Sequence, residues 1–210
     1  MALKAQCTAC GGPIVFENKV SLFAVCSHCG CSVLRHDMNL ESLGKMAELV
    51  DDGTPLQLGT RGKHRGVPFQ IVGRIQIAYP DGYWNEWFLD FAGERDGWLG
   101  EAQGMYAVNF PIKVRPAIPP FGALKIGMPV MLDDRGFFVR DIQQGQCVSG
   151  EGELPFQVEC GSRTPTADLA AEDGAFATLD YSEGITSVYV GEYQDFPALA
   201  FENLRRVEGW

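Results

Sequence analysis

For most of its length the chain alternates apolar and polar residues over short stretches. Phe69-Gln-Ile-Val-Gly-Arg-Ile-Gln-Ile77, Trp84-Asn-Glu-Trp-Phe-Leu89, Gly97-Trp-Leu-Gly-Glu101, Phe137-Phe-Val-Arg-Asp-Ile142, Glu153-Leu-Pro-Phe-Gln-Val158, Ala175-Phe-Ala-Thr-Leu179 and Ser187-Val-Tyr-Val190 each read as a strand. A period of two puts successive side chains on opposite faces, as a half-buried strand requires. Tyr79-Pro-Asp-Gly82 and Ile118-Pro-Pro120 interrupt the pattern with turn-forming residues. Strands at this spacing predict an all-β sandwich or barrel. One stretch follows another period. Leu40, Leu43, Met46, Ala47 and Val50 recur at helical spacing over 38–50, with Asn39 as N-cap candidate and Asp51-Asp-Gly-Thr-Pro55 as the stop.

A weak internal echo runs through the β region. Leu56-Gln-Leu-Gly59 matches Leu124-Lys-Ile-Gly127, and Phe69–Arg74 matches Phe137–Ile142 at the same offset. Gly97-Trp-Leu-Gly-Glu101 aligns less strictly with Gly174-Ala-Phe-Ala-Thr178. Two related β units built by duplication explain the echo, with chance similarity between β segments as the competing reading.

The N-terminus carries different chemistry. Cys7-Thr-Ala-Cys10-Gly11 and Cys26-Ser-His-Cys29-Gly30 are two Cys-x-x-Cys-Gly units, with fifteen residues between Cys10 and Cys26. This spacing reads as a zinc site. Two residues between cysteines let both thiolates of a knuckle reach one ion, and four sulfurs satisfy a tetrahedral zinc. Ile14-Val-Phe16 and Val20–Val25 are the expected strands between the knuckles, joined by a turn at Glu17-Asn-Lys19. A closed set of Cys7, Cys10, Cys26 and Cys29 leaves no position for water, so one structural zinc ion is expected. Cys31 could replace Cys29 only by losing the symmetric spacing, and a redox-active dithiol is the reading for a lone pair. His28 and His36 are read as exposed, and Cys147 and Cys160 as small buried hydrophobes.

The expected organisation is therefore mainly β: a zinc ribbon over 1–36, a helical connector over 37–55, a first β unit over 56–122 and a second over 123–210. The 210 residues suffice for one good core with an appendage, or two small domains. Net charge is −10, and its distribution matters. Residues 1–140 hold 14 acidic and 14 basic side chains, whereas 141–210 hold 13 acidic and 3 basic. Such a surface disfavours nucleic acid for the second unit. No run of 18 apolar residues occurs and the N-terminus lacks a signal-peptide core, so a cytoplasmic chain without membrane insertion is expected. Seven cysteines then favour metal and free thiols over disulfides.

Val72-Gly-Arg74, Trp84–Leu89, Gly97-Trp-Leu99, Gly150-Glu-Gly-Glu-Leu-Pro-Phe156 and Ala177-Thr-Leu-Asp-Tyr181, in that order, resemble a bacterial family catalogued as domain of unknown function 4178. The resemblance runs from about Leu56 to near the C-terminus, and relatives also carry the ribbon. It implies a β-rich fold and no established activity. Relatives look like neighbours of membrane-stress, channel-like and polyamine-synthase-like genes, an association that bears on partners and not on a reaction.

No Gly-x-Ser-x-Gly elbow, phosphate-binding glycine loop or His-Glu-x-x-His helix is present, and no catalytic residue is assigned. The densest constellation is Tyr83, Trp84, Glu86, Trp87, Trp98 and Glu101, with Arg74 and Arg95 as candidate partners for Glu86. Arg61-Gly-Lys63-His-Arg65 is the one basic cluster. Trp84, Glu86, Trp98, Arg61, Lys63 and Arg65 are the candidate ligand or partner surface. The expected function is a non-catalytic zinc-binding adaptor, its β domain a contact surface or sensor and its partner another protein, a membrane-associated one included. One alternative is an enzyme using Glu86, Glu101, Glu153 and Asp180. The other is nucleic-acid binding through the ribbon and the Arg61–Arg65 loop.

Overall fold

The computed structural model describes residues 2–36, 39–92, 95–113, 118–182 and 184–207. The N-terminal unit begins with a hairpin of β1 (Leu3–Gln6) and β2 (Pro13–Phe16). Strands β3 (Phe23–Val25), β4 (Cys31–His36) and β5 (Asn39–Lys45) then pair antiparallel in chain order. The helix expected over 38–50 does not form: 39–45 is β5, and 46–50 has no regular structure. Asp37 and Met38 lie outside the described residues. Gly44 adopts a positive φ of 99° inside the segment, and the edge of β4 offers backbone partners that a marginal helix cannot match. Its apolar side chains serve two cores, Leu40 on the ribbon and Leu43 and Met46 on the barrel.

Ten strands follow: β6 (Arg61–His64), β7 (Val67–Tyr79), β8 (Gly82–Asp90), β9 (Asp96–Ala102), β10 (Met105–Ile112), β11 (Pro129–Leu132), β12 (Arg135–Leu154), β13 (Arg163–Ala170), β14 (Ala175–Asp180) and β15 (Ser187–Gln194). Eight of them close a barrel in the order β7-β8-β9-β10-β15-β14-β13-β12 and back to β7. Every pairing in the ring is antiparallel. The ring leaves no edge, which separates it from a sandwich. The two series occupy equivalent places: β6 pairs β7 as β11 pairs β12, β7 pairs β12, and β10 pairs β15. Phe69–Arg74 and Phe137–Ile142, which echo each other in sequence, lie in the corresponding strands β7 and β12.

The barrel carries much of its apolar surface on the outside. Ala167, Leu169, Ala177 and Leu179 of β13 and β14 pack under Val130 and Leu132 of β11 and under Leu124. On the other flank Trp87, Leu89, Leu99 and Val108 pack under Leu56, Phe196, Leu199 and Phe201. Each large side chain so covered stabilises the fold by about 1.5–3 kcal/mol. Alternation then turns the intervening residues inward, and Thr166, Asp168, Thr178 and Asp180 keep partial exposure within the ring.

The ribbon is fused to this barrel by β12, which runs on past β7 to pair Glu153 with Ala24 and Leu154 with Phe23. Buried Glu153 accepts hydrogen bonds from the backbone N–H of Glu17 at 2.9 Å and of Asn18 at 3.2 Å. The Asn18 side chain donates to Asp90 at 2.9 Å and also to Asp96.

A second polar cluster clips residues 50–54 to the outer wall. Glu101 accepts from Thr54 Oγ1 at 2.7 Å, Trp87 Nε1 at 2.8 Å and Asn85 Nδ2 at 3.2 Å. Arg74 reaches Asp52 at 2.9 Å. Replacing Glu101 by Leu strands the Thr54 hydroxyl and the Trp87 N–H in a buried site. Urea denaturation is expected to show a loss of about 3 kcal/mol for Glu101→Leu. Arg61→Ala, which breaks the exposed pair with Glu202, is expected to leave the midpoint where it was.

Candidate functional site

Two places in the molecule gather chemistry. The first is the tip of the ribbon. Each knuckle turns back on itself, with Gly11 N–H donating to Cys7 O at 2.8 Å and Gly30 N–H to Cys26 O at 2.9 Å. Gly11 and Gly30 hold φ of 74° and 70°, values that β-carbon-bearing residues adopt only with strain. These turns bring the sulfurs of Cys7, Cys10, Cys26 and Cys29 within 4.8 Å of one another. Cys7 and Cys29 are 3.8 Å apart, as are Cys10 and Cys26. A tetrahedron with metal–sulfur bonds of about 2.3 Å has edges of about 3.8 Å, so the donor set fits a tetrahedral metal ion. Cys31 stands outside the group, with its sulfur 3.1 Å from Ser42 Oγ.

The second place is the inside of the barrel. All eight strands contribute inward-facing side chains to one cavity of about 640 Å³. Ile75, Ile77, Trp84, Phe88 and Trp98 make an apolar wall. Trp98 stacks on Phe156 with ring centres 5.8 Å apart and touches Phe88 at 5.0 Å. Gly145 makes room for this wall: a β-carbon there would fall 2.5 Å from both Ile77 Cγ2 and Trp84 Cη2. Glu86, Asn109, Thr166, Thr178, Asp180 and Tyr189 supply the polar lining. Asp168 is the next inward position on β13 and accepts from Thr178 Oγ1 at 2.9 Å. The loop after β12, Pro155 to Glu159, and Val20 of the ribbon also line the cavity.

Two carboxyls inside, Glu86 and Asp168, are perturbed. Glu86 is enclosed by protein although its surface remains in touch with the cavity. Burial pushes its pKa up to about 8; repulsion from Asp168 and Asp180 adds, and a hydrogen bond from Trp84 opposes. Burial likewise raises Asp168 to about 6, against the Thr178 hydrogen bond.

The four carboxylates named from sequence separate. Glu86 and Asp180 line the cavity, Glu101 holds the clip, and Glu153 anchors the ribbon. Trp84 and Trp98 join Glu86, whereas Trp87 faces the outer wall. Neither arginine offered as a partner pairs with Glu86. Arg74 lies outside, bound to Asp52 with its guanidinium 4.7 Å from the Trp87 ring, and Arg95 sits over Phe91 and Phe110. The basic segment is strand β6 and its turn rather than a loop. Arg61 bridges Glu202 at 3.4 Å and Arg65 bonds Glu192 at 2.6 Å, so two of its charges are matched, and Lys63 is exposed. Arg61, Lys63 and Arg65 contribute nothing to the cavity lining. Cys147 is buried in the apolar wall; Cys160 is exposed, contrary to expectation, because it lies in the loop between β12 and β13. Asn109 and Asp168 were missed. Nothing in the mostly apolar run Met105–Ile112 marks Asn109 as inward, and only the outward alternation of Ala167 and Leu169 hints at Asp168.

Fold and sites together define a closed antiparallel barrel with a hollow, acid-lined interior and a thiolate ribbon built onto one strand. The chain belongs to the family described as domain of unknown function (DUF4178), whose sequence model matches residues 57–196. No curated protein and no solved structure matches the chain. No helix among the described residues is long and apolar enough to cross a membrane.

Two outcomes follow from this chemistry. In metal analysis of purified protein, Cys29→Ser is expected to lose bound metal and Cys31→Ser to retain it. The raised pKa of Glu86 means that the folded chain holds a proton which the unfolded chain releases above pH ~4.5. Its contribution to stability therefore falls as pH rises from ~4.5 to about 8 and is level above that. Glu86→Gln is expected to melt higher than the parent at pH 8 and to show a shallower decline between pH 5 and 8.

Proposed function

We propose that this chain is a non-catalytic binding protein whose barrel takes up a small organic molecule and whose zinc-loaded ribbon presents that state to a protein partner. The observation that carries the reading is the cavity of about 640 Å³ inside the barrel, a size suited to a small ligand. An apolar wall with a few convergent polar groups is the usual character of such a site. Zinc is the metal best suited to four thiolates at tetrahedral spacing, and a closed set suits a structural rather than catalytic ion. The link between sites is short: β12 hydrogen-bonds with ribbon strand β3 through Leu154, and cavity-lining Pro155 follows. Exposed Val15, Val20 and Leu22 give the ribbon an apolar surface for a partner.

A specific observation keeps a second reading, a carboxylate-dependent enzyme. Glu86 and Asp180 share the cavity, and a carboxyl titrating near 8 can act as a general acid. Incubation with a metabolite extract separates the two readings. Recovery of bound compounds unaltered supports binding, whereas conversion that Glu86→Gln abolishes supports the enzyme.

The binding reading is tested with a neutral apolar dye. Thr166→Trp fills the interior from β13, and is expected to weaken dye binding at least tenfold with a melting temperature within a few degrees of the parent. Unchanged dye affinity in that variant contradicts the reading.

A further inference from the structure

The chemistry of the cavity narrows what it takes, on the reading that the barrel binds a ligand. We propose that the cavity selects an organic cation, an amine or quaternary ammonium carried on an apolar body.

The first observation is uncompensated charge. Glu86, Asp96, Glu159 and Asp180 line the cavity, and the one basic side chain among the described lining residues is Arg163, which is exposed. Several carboxylates elsewhere do meet a cation: Asp52 with Arg74, Glu192 with Arg65, Asp173 with Arg135. Inside the barrel, among the described residues, Asp168 accepts a hydroxyl bond from Thr178, and Asp180 accepts from Ser182 N at 2.8 Å and Oγ at 2.6 Å. Among the described residues no ion pair involves Glu86, Asp168 or Asp180. Enclosed carboxyls without a cation are costly in the ionised state, and a bound cation relieves that cost.

The second observation is independent of charge. Asn109, on the inward face of β10, is 5% exposed, and its Oδ1 accepts no hydrogen bond from the described residues. Thr164 Oγ1, also lining the cavity, is unpartnered in the same sense. A buried acceptor in a cavity calls for a donor, and an ammonium N–H supplies one. The partly exposed Trp84 ring adds a surface on which a cation and its apolar body both rest favourably. A carboxylate ligand meets repulsion from Asp180, and from Glu86 once it is ionised, and a neutral one leaves that charge unmatched.

The test uses full-length, metal-loaded protein at pH ~9, where Glu86 is ionised and an alkylammonium keeps its proton, in ~0.15 M salt to screen exposed charge. Three probes with one body are compared by calorimetry: 4-phenylbutylammonium, 4-phenylbutanol and 4-phenylbutanoate. The ammonium is expected to bind at least tenfold more tightly than the alcohol, with the carboxylate weakest. Glu86→Gln is expected to bring ammonium and alcohol within threefold while keeping the alcohol's affinity, which also reports that the variant is folded. An alcohol that binds as well as the ammonium, or a carboxylate that binds best, overturns cation selection and leaves the binding barrel intact. Ammonium binding that survives Thr166→Trp places it on the acidic surface and also overturns the proposal. If none of the three probes binds, cation selection fails; if the neutral dye fails as well, the binding-barrel reading fails with it.

Discussion

Strand β12 makes four pairings along its twenty residues: with β11 and β13 at its start, with β7 where the ring closes, and with β3 of the ribbon at its end. Bulges between Val139 and Asp141 and between Cys147 and Ser149 let one strand change partner and direction without losing its ladder. Ring closure, the position of the ribbon and the placement of cavity-lining Pro155 to Glu159 all depend on this strand. A ribbon of this size buries little apolar surface of its own, so its fold leans on Glu153 and Leu154 of β12 beside a cysteine cluster that could hold a metal ion.

The second constraint is where the apolar area goes. A small eight-stranded ring can be filled by side chains or left hollow. Here the outward positions of β13 and β14 are Ala and Leu, covered by β11, and the outward positions of β8 to β10 are covered by Leu56 and the segment Phe196–Phe201. With both flanks covered, the fold does not depend on a solid interior for its hydrophobic stabilisation. The inward positions are then free to carry Glu86, Asn109, Asp168 and Asp180, groups that a packed core would exclude. The cysteine cluster sits apart from the cavity, and β12 touches the units that hold both.

The outward-covered strands explain what the sequence made legible. β7, β8, β9, β14 and β15 alternate strongly and were readable. β10 and β13 were not, because Pro111 and Pro165 interrupt them and the inward residues of β13 are polar. Glu153–Val158 reads as a strand, yet only its first two residues pair; Pro155 ends the ladder and the rest turns over the cavity. The helical spacing over 38–50 reflected two separate cores touched by one segment rather than one helical face. At the metal site local spacing alone specified the residues, since knuckle geometry is set by neighbours in sequence. For the cavity, Trp84, Glu86 and Trp98 were visible as a dense cluster on two adjacent strands. Their meeting with Asp180 and Asn109 depends on ring closure through β7–β12 and β10–β15, contacts between residues far apart in the chain.

The tryptophans provide internal reporters of where a ligand goes. Trp84 and Trp98 face the cavity, whereas Trp87 is on the outer wall with its N–H bonded to Glu101. The most direct measurement is the assigned indole N–H spectrum of ¹⁵N-labelled protein titrated with 4-phenylbutanol, a probe whose binding does not require charge. A ligand inside the barrel shifts the Trp84 and Trp98 signals in step with concentration and leaves Trp87 unmoved. Saturable binding that shifts Trp87, or that moves none of the three, contradicts a hollow barrel open to ligands.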